Sequence, residues 1–255
     1  MTTIDEMSEP FGRHLRPVLA AGMGVCSVCH SWRLDRFAMC GTCKFGLQDL
    51  SSSADAIGFV ALAVKHDELA SQLWRYKDST SHDERDRLTK GLTAVLWRWL
   101  GEHEACVARA AGVVSFPVVT SIASTKNRIE HPLASMVRST IALTRDRYRP
   151  LLRATPGQSD DRTYSSKRFE ALDIERGKAI LIIDDTFTAG SRIQSAACTL
   201  KEAGSGPVGA VVIGRHFRAD NLTGDYREAA QRYLQRSRSL AWDWQRCCYC
   251  DNRSV

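Results

Sequence analysis

The sequence predicts an α/β protein: a mostly parallel sheet flanked by helices, preceded by a small metal-binding module. Two observations predict the sheet, since short branched apolar runs alternate with helix-like segments, and those runs lack the polar alternation of a half-exposed strand. A third predicts the module: four of the nine cysteines crowd into eighteen residues, "CSVCHSWRLDRFAMCGTC". The 255 residues suffice for one full core plus something small at roughly 150 residues per domain.

Along the chain, 1 to about 20 carry no strong period and read as a flexible lead-in. The cysteine module follows, and Ser51, Ser52 and Ser53 read as a linker that ends it near residue 52. "IGFVALAV" (57–64) has strand length, and Leu88, Leu92, Val95, Leu96, Trp99 and Leu100 fall at helical spacing between His82 and His103. "GVVSFPVV" (112–119) predicts a second strand, and Pro132 opens a helix running to about Leu143. The polar, turn-rich stretch 153–177 predicts a mobile functional loop. "AILII" (179–183) is the next strand, 192–203 its helix, and "GPVGAVVIGRHF" (206–217) another strand. The main domain therefore spans 53–220, and 221–255 hold a basic helix and a cysteine-containing tail.

The bulk numbers narrow the partners. A net charge of +6 favours anionic ligands. The acidic start "MTTIDEMSEP" is not a secretory signal, and no run approaches the roughly 20 apolar residues of a membrane span, so a cytoplasmic protein without membrane contact is expected.

The stretch 179–197, "AILIIDDTFTAGSRIQSAA", carries the sharpest chemistry. Ligands bind at the carboxyl ends of strands in open α/β sheets, which puts Asp184 and Asp185 on a pocket rim. Two anions there need a cation or a polyol. The turn leads into a helix whose free N–H groups attract phosphate; Gly190 permits close approach, and the Thr188 and Ser191 hydroxyls can donate. Diol and phosphate together describe a ribose 5-phosphate. The alternatives are a strand-end cap with a tight turn, and an acidic metal site of receiver or phosphatase type.

Cys26, Cys29, Cys40 and Cys43 have the two-knuckle spacing of a structural Zn²⁺ site; an iron site or buried core thiols are the alternatives. Trp32, Arg33, Arg36, Phe37, Lys44 and Phe45 would lie on this ribbon, either packing it against its neighbour or contacting single-stranded nucleic acid. Cys247 and Cys250, with Cys248 between, form half a metal site that a histidine or another chain could complete, or part of a partly ordered tail. His131 and His216 read as satisfied or surface histidines.

Strand, acid pair and phosphate turn closely resemble the phosphoribosyl-diphosphate (PRPP) motif of the type I phosphoribosyltransferases, with "TAGS" similar to the Thr-Ala-Gly-Thr of orotate phosphoribosyltransferases. The resemblance implies a type I phosphoribosyltransferase fold in which Asp184 and Asp185 bind the ribose hydroxyls. It implies that Thr188, Ala189, Gly190, Ser191 and Arg192 hold the 5′-phosphate, with Mg²⁺ accompanying PRPP. It further implies a diphosphate loop at Thr120 to Ser124, with Thr120, Ser121 and Lys126, and a closing loop whose Arg162, Lys167 and Arg168 stabilise the leaving group. A four-cysteine ribbon ahead of such a domain resembles the ComF family, associated with natural competence and DNA uptake. That match runs from about Cys26 to His216 and includes "LWRYKDS", "VVSFPVV" with Pro117, and Arg128, while 129–132 depart from it. The expected function is Mg²⁺-dependent phosphoribosyl transfer from PRPP to an unidentified acceptor. A non-catalytic module that handles single-stranded DNA or senses PRPP is the alternative, and a homodimer is a further expected partner.

Overall fold

The computed structural model describes residues 3–124, 131–157, 163–220 and 222–250. In chain order its elements are α1 (Ile4–Gly12), α2 (Gly41–Gly46), β1 (Ala56–Val64), α3 (Glu68–Asp78), α4 (His82–Ala110), β2 (Val118–Ser121) and α5 (Pro132–Ser135). There follow α6 (Ala142–Arg145), β3 (Leu152–Ala154), β4 (Phe169–Ala171), β5 (Ile180–Phe187), α7 (Ser191–Glu202), β6 (Val208–Phe217) and α8 (Gly224–Ser239).

Four strands form one sheet in the order β1-β6-β5-β2, every neighbouring pair parallel, while β3 and β4 make a separate antiparallel pair. All nine residues of β1 are buried, which explains its unbroken apolar run. Successive strand residues serve opposite faces. Leu181 and Ile183 join the core built with α3 and α4, whereas Ile180 and Ile182 join the core shared with α7, α8 and the cysteine module. The outer edge of β1 is closed by other chain segments: Leu62 N–H donates to Arg16 O at 2.8 Å, and Ile57 N–H to the Tyr249 hydroxyl at 2.9 Å.

Several boundaries differ from the sequence reading. Within the expected lead-in, Ile4–Gly12 form a helix: Thr3 and Glu6 form a capping box, and Phe11 of α1 seats on Gly91 of α4, where a Cβ would come within 1.8 Å of its ring. The strand expected from 112 begins only at Val118, and the helix expected over 132–143 is broken at Ile141, after a wide π-type turn over Met136–Thr140. Helix α3, which the sequence reading did not anticipate, follows β1 directly and carries "LWRYKD". The loop expected over 153–177 includes β4, and its residues 158–162 lie outside the described set. No helix among the described residues is long and apolar enough to cross a membrane.

Candidate functional site

β5 extends through the twin aspartates, because β6 continues beside it: Asp184 opposes Val212 and Phe187 opposes Arg215. β2 stops at Ser121 opposite Ile183, so the sheet opens on that side where the acids begin. Strand parity then sends the two side chains to opposite faces. Asp185 turns toward α3, where Tyr76 donates a short hydrogen bond to its Oδ2, Lys77 Nζ reaches the same atom at 2.9 Å, and His131 Nε2 lies at 3.8 Å. Burial alone would raise its pKa, but Lys77, Tyr76 and His131 together hold it below the usual value.

Asp184 turns toward α7. It is 3% exposed, its Oδ1 accepts the Asp185 N–H at 3.0 Å, and its Oδ2 has no hydrogen-bond partner among the described residues. Burial pushes its pKa up to about 6, with Asp185 adding to the rise and Arg192 opposing it. An orphaned, buried carboxylate oxygen is expensive unless a ligand or cation completes it.

The turn beyond β5 is built around Gly190, whose φ of 91° is left-handed; it precedes α7, whose first turn has no side-chain cap. A Cβ at Gly190 would also lie 2.3 Å from the Phe187 ring. Gly190→Ala is therefore expected to destabilise the chain by about 2 kcal/mol or more and to remodel the turn, as thermal unfolding and backbone NMR shifts of 186–193 would show. Asp184, Asp185, Thr188, Ala189, Gly190, Ser191 and Arg192 all line one cavity of about 430 Å³, joined by Lys77, His216 and the exposed Trp74. Arg192 crosses it to donate to Ala123 O at 3.0 Å, tying α7 to the segment after β2.

The residues expected to bind diphosphate are placed differently. Thr120 is fully buried and accepts the Leu151 N–H at 3.2 Å; Ser121 bonds the Tyr148 hydroxyl at 3.0 Å; neither lines the cavity. Lys167 is exposed and also outside it, and the buried Arg168 donates to Thr163 O at 2.9 Å. Lys126, Arg128 and Arg162 lie outside the described residues. The segment expected to close over the site reaches it through Tyr164, whose hydroxyl donates to Ala189 O at 2.6 Å while its ring covers Gly46 of α2. Burial raises the Tyr164 pKa, keeping it a donor.

The ligand atoms of Cys26, Cys29, Cys40 and Cys43 lie within 4.8 Å of one another. The thiols of Cys29, Cys40 and Cys43, in that order, hold the Cys26 thiol far below its ordinary range. Cys29 and Cys40 sulfurs are 3.6 Å apart, and the Cys40 N–H donates to Cys26 Sγ at 3.3 Å, a geometry suited to a tetrahedral ion such as Zn²⁺. Arg215, 6% exposed, joins this group to the β5 rim: it donates to Cys29 O at 2.9 Å, lies 3.5 Å from Cys29 Sγ, and donates to Thr188 O at 3.2 Å. A second cavity of about 450 Å³ between module and sheet shares Thr188, Ala189 and His216 with the first.

Tyr76, Lys77 and Arg215 were not picked out from the sequence as site residues. Arg215 had a legible signal, being one cation inside the buried strand "VVIGRHF". Comparison with models of known protein families finds no match, and comparison with curated proteins finds none either.

Proposed function

We propose that the chain binds PRPP with Mg²⁺ at the end of β5 and transfers its phosphoribosyl group to an acceptor. One observation carries the reading: a buried Asp184 oxygen without a partner among the described residues and a helix start without a side-chain cap among them, behind a left-handed glycine, share one cavity. The carboxylate suits a ribose hydroxyl or its bound cation, and the helix start suits the 5′-phosphate. Bound Mg²⁺ would neutralise diphosphate charge. Lys77 and Arg192 on the cavity wall supply fixed positive charge as the bond from C1 to diphosphate breaks and the acceptor bonds to C1. The adjoining cavity beside Thr188, Ala189 and His216 is the proposed entry for the acceptor.

Titration calorimetry with PRPP and Mg²⁺ tests the site: binding to the wild type at micromolar to millimolar concentration is expected, and absence of binding would sink the reading. Diphosphate release over a panel of bases and amines then separates an enzyme from a PRPP sensor.

A second reading, contact with single-stranded nucleic acid, is favoured by the exposed Phe37 and Phe45 on the cysteine module. Arg36 and Lys44 lie 5.2 and 5.8 Å from the Phe37 ring centroid. Salt-dependent DNA binding that disappears on metal chelation would support it.

A further inference from the structure

We propose that His103, Cys106, Cys247 and Cys250 form a second zinc site, which fastens the C-terminal segment to α4. Their ligand atoms all lie within 4.8 Å of one another, the same closeness found in the N-terminal group. Residues at i and i+3 of a helix share a face, so α4 presents His103 and Cys106 side by side. The other two ligands come from a tight turn in which Cys250 N–H donates to Cys247 O at 3.0 Å. In that turn the Tyr249 N–H donates to Cys247 Sγ at 3.4 Å, matching the Cys40 N–H on Cys26 Sγ at 3.3 Å in the first group.

The separations fit coordination rather than a disulfide. Cys106 and Cys250 sulfurs are 3.6 Å apart and Cys247 and Cys250 sulfurs 3.3 Å, whereas a disulfide needs about 2.05 Å. Zinc–sulfur bonds of about 2.3 Å at tetrahedral angles put sulfurs about 3.8 Å apart, close to what is seen. His103 is prepared for the role. Its Nε2 lies 2.8 Å from Trp244 O, which holds the proton there and leaves the Nδ1 lone pair facing Cys250 Sγ at 3.5 Å. His103 is 2% exposed and Cys247 8%, Cys106 and Cys250 are half-buried, and the four protein ligands fill a tetrahedral shell, as a structural ion requires.

The clamp also reaches the sheet. Tyr249, within the turn, accepts from Ile57 N–H and donates to Ile57 O at 3.2 Å, sealing the start of the edge strand β1. This inference stands apart from the PRPP reading, since none of its residues lines that cavity.

Elemental analysis of the purified full chain is the test, with zinc K-edge absorption on the same sample. Two zinc ions per chain are expected, with an average shell mixing sulfur and nitrogen. Cys247→Ser with Cys250→Ser should lose one ion, Cys26→Ser with Cys29→Ser the other, and His103→Cys should keep both with an all-sulfur shell. One ion per chain in the wild type that survives the tail substitutions would overturn the proposal, as would a native disulfide among Cys106, Cys247 and Cys250 in non-reducing peptide mapping. Should the tail variant fail to fold, wild-type stoichiometry and the nitrogen contribution decide alone.

Discussion

Asp184→Asn is expected to bind PRPP with Mg²⁺ about 100-fold more weakly than the wild type while unfolding at a higher temperature at neutral pH. The loss follows from removing one charged acceptor and its cation contact, each worth about 1.5–3 kcal/mol. The gain follows from linkage. The folded-state pKa of about 6 lies above the ordinary value of 3.8, so the native chain keeps a proton that the unfolded chain sheds between those values. Stability therefore falls as pH rises through that window and stays lower above it, by on the order of 2–3 kcal/mol for this group. Asparagine removes the buried charge and can still accept the Asp185 N–H. Calorimetric titration read beside thermal unfolding at pH 4 and at pH 7.5 checks both halves; equal melting curves for the two proteins at neutral pH would refute the linkage. Asp185 has the opposite sign, since its lowered pKa lends stability at neutral pH that acid removes. Asp185→Asn should destabilise the protein by stranding Lys77.

Arg215→Met is expected to cost about 3–5 kcal/mol and to loosen the cysteine module from the sheet. The guanidinium is buried with carbonyl acceptors on the module and on both central strands, and methionine would leave Cys29 O, Thr188 O and His216 O without this donor. Four thiolates around a divalent ion would carry net negative charge, which this cation is placed to balance. Hydrogen exchange should show lost protection at 26–43 and at 186–190 together. Loss confined to one of these would show that Arg215 does not join them.

Much of the architecture was readable because buried strands leave an unmistakable mark: "IGFVALAV" and "AILII" have no solvent face to encode. α3 was missed because "ELASQLWRYKD" mixes polar residues with few apolar ones, and its buried positions are Leu69, Gln72, Leu73 and Tyr76. The neighbouring aspartates looked like a pair of like function, yet a continuing strand sends them to opposite faces. Parity would have said so had the strand's end been known, and that end is set by pairing with β6, on the far side of α7. The tail's cysteines read only as half a site because the His103 and Cys106 that lie beside them are on α4, far earlier in the chain.

The pairing of β1 with β6, from Ala56 against Gly209 to Val64 against Phe217, also constrains how the chain is made. During synthesis an unpaired, wholly apolar strand emerges long before its partner, a state prone to aggregation. The cysteine module is complete by then, and the His30 ring packs edge-on to Phe59 of that strand with centroids 6.0 Å apart. The module thus precedes the strand in synthesis and touches it in the native fold; were the four cysteines to hold an ion, withholding metal during expression is expected to lower soluble yield.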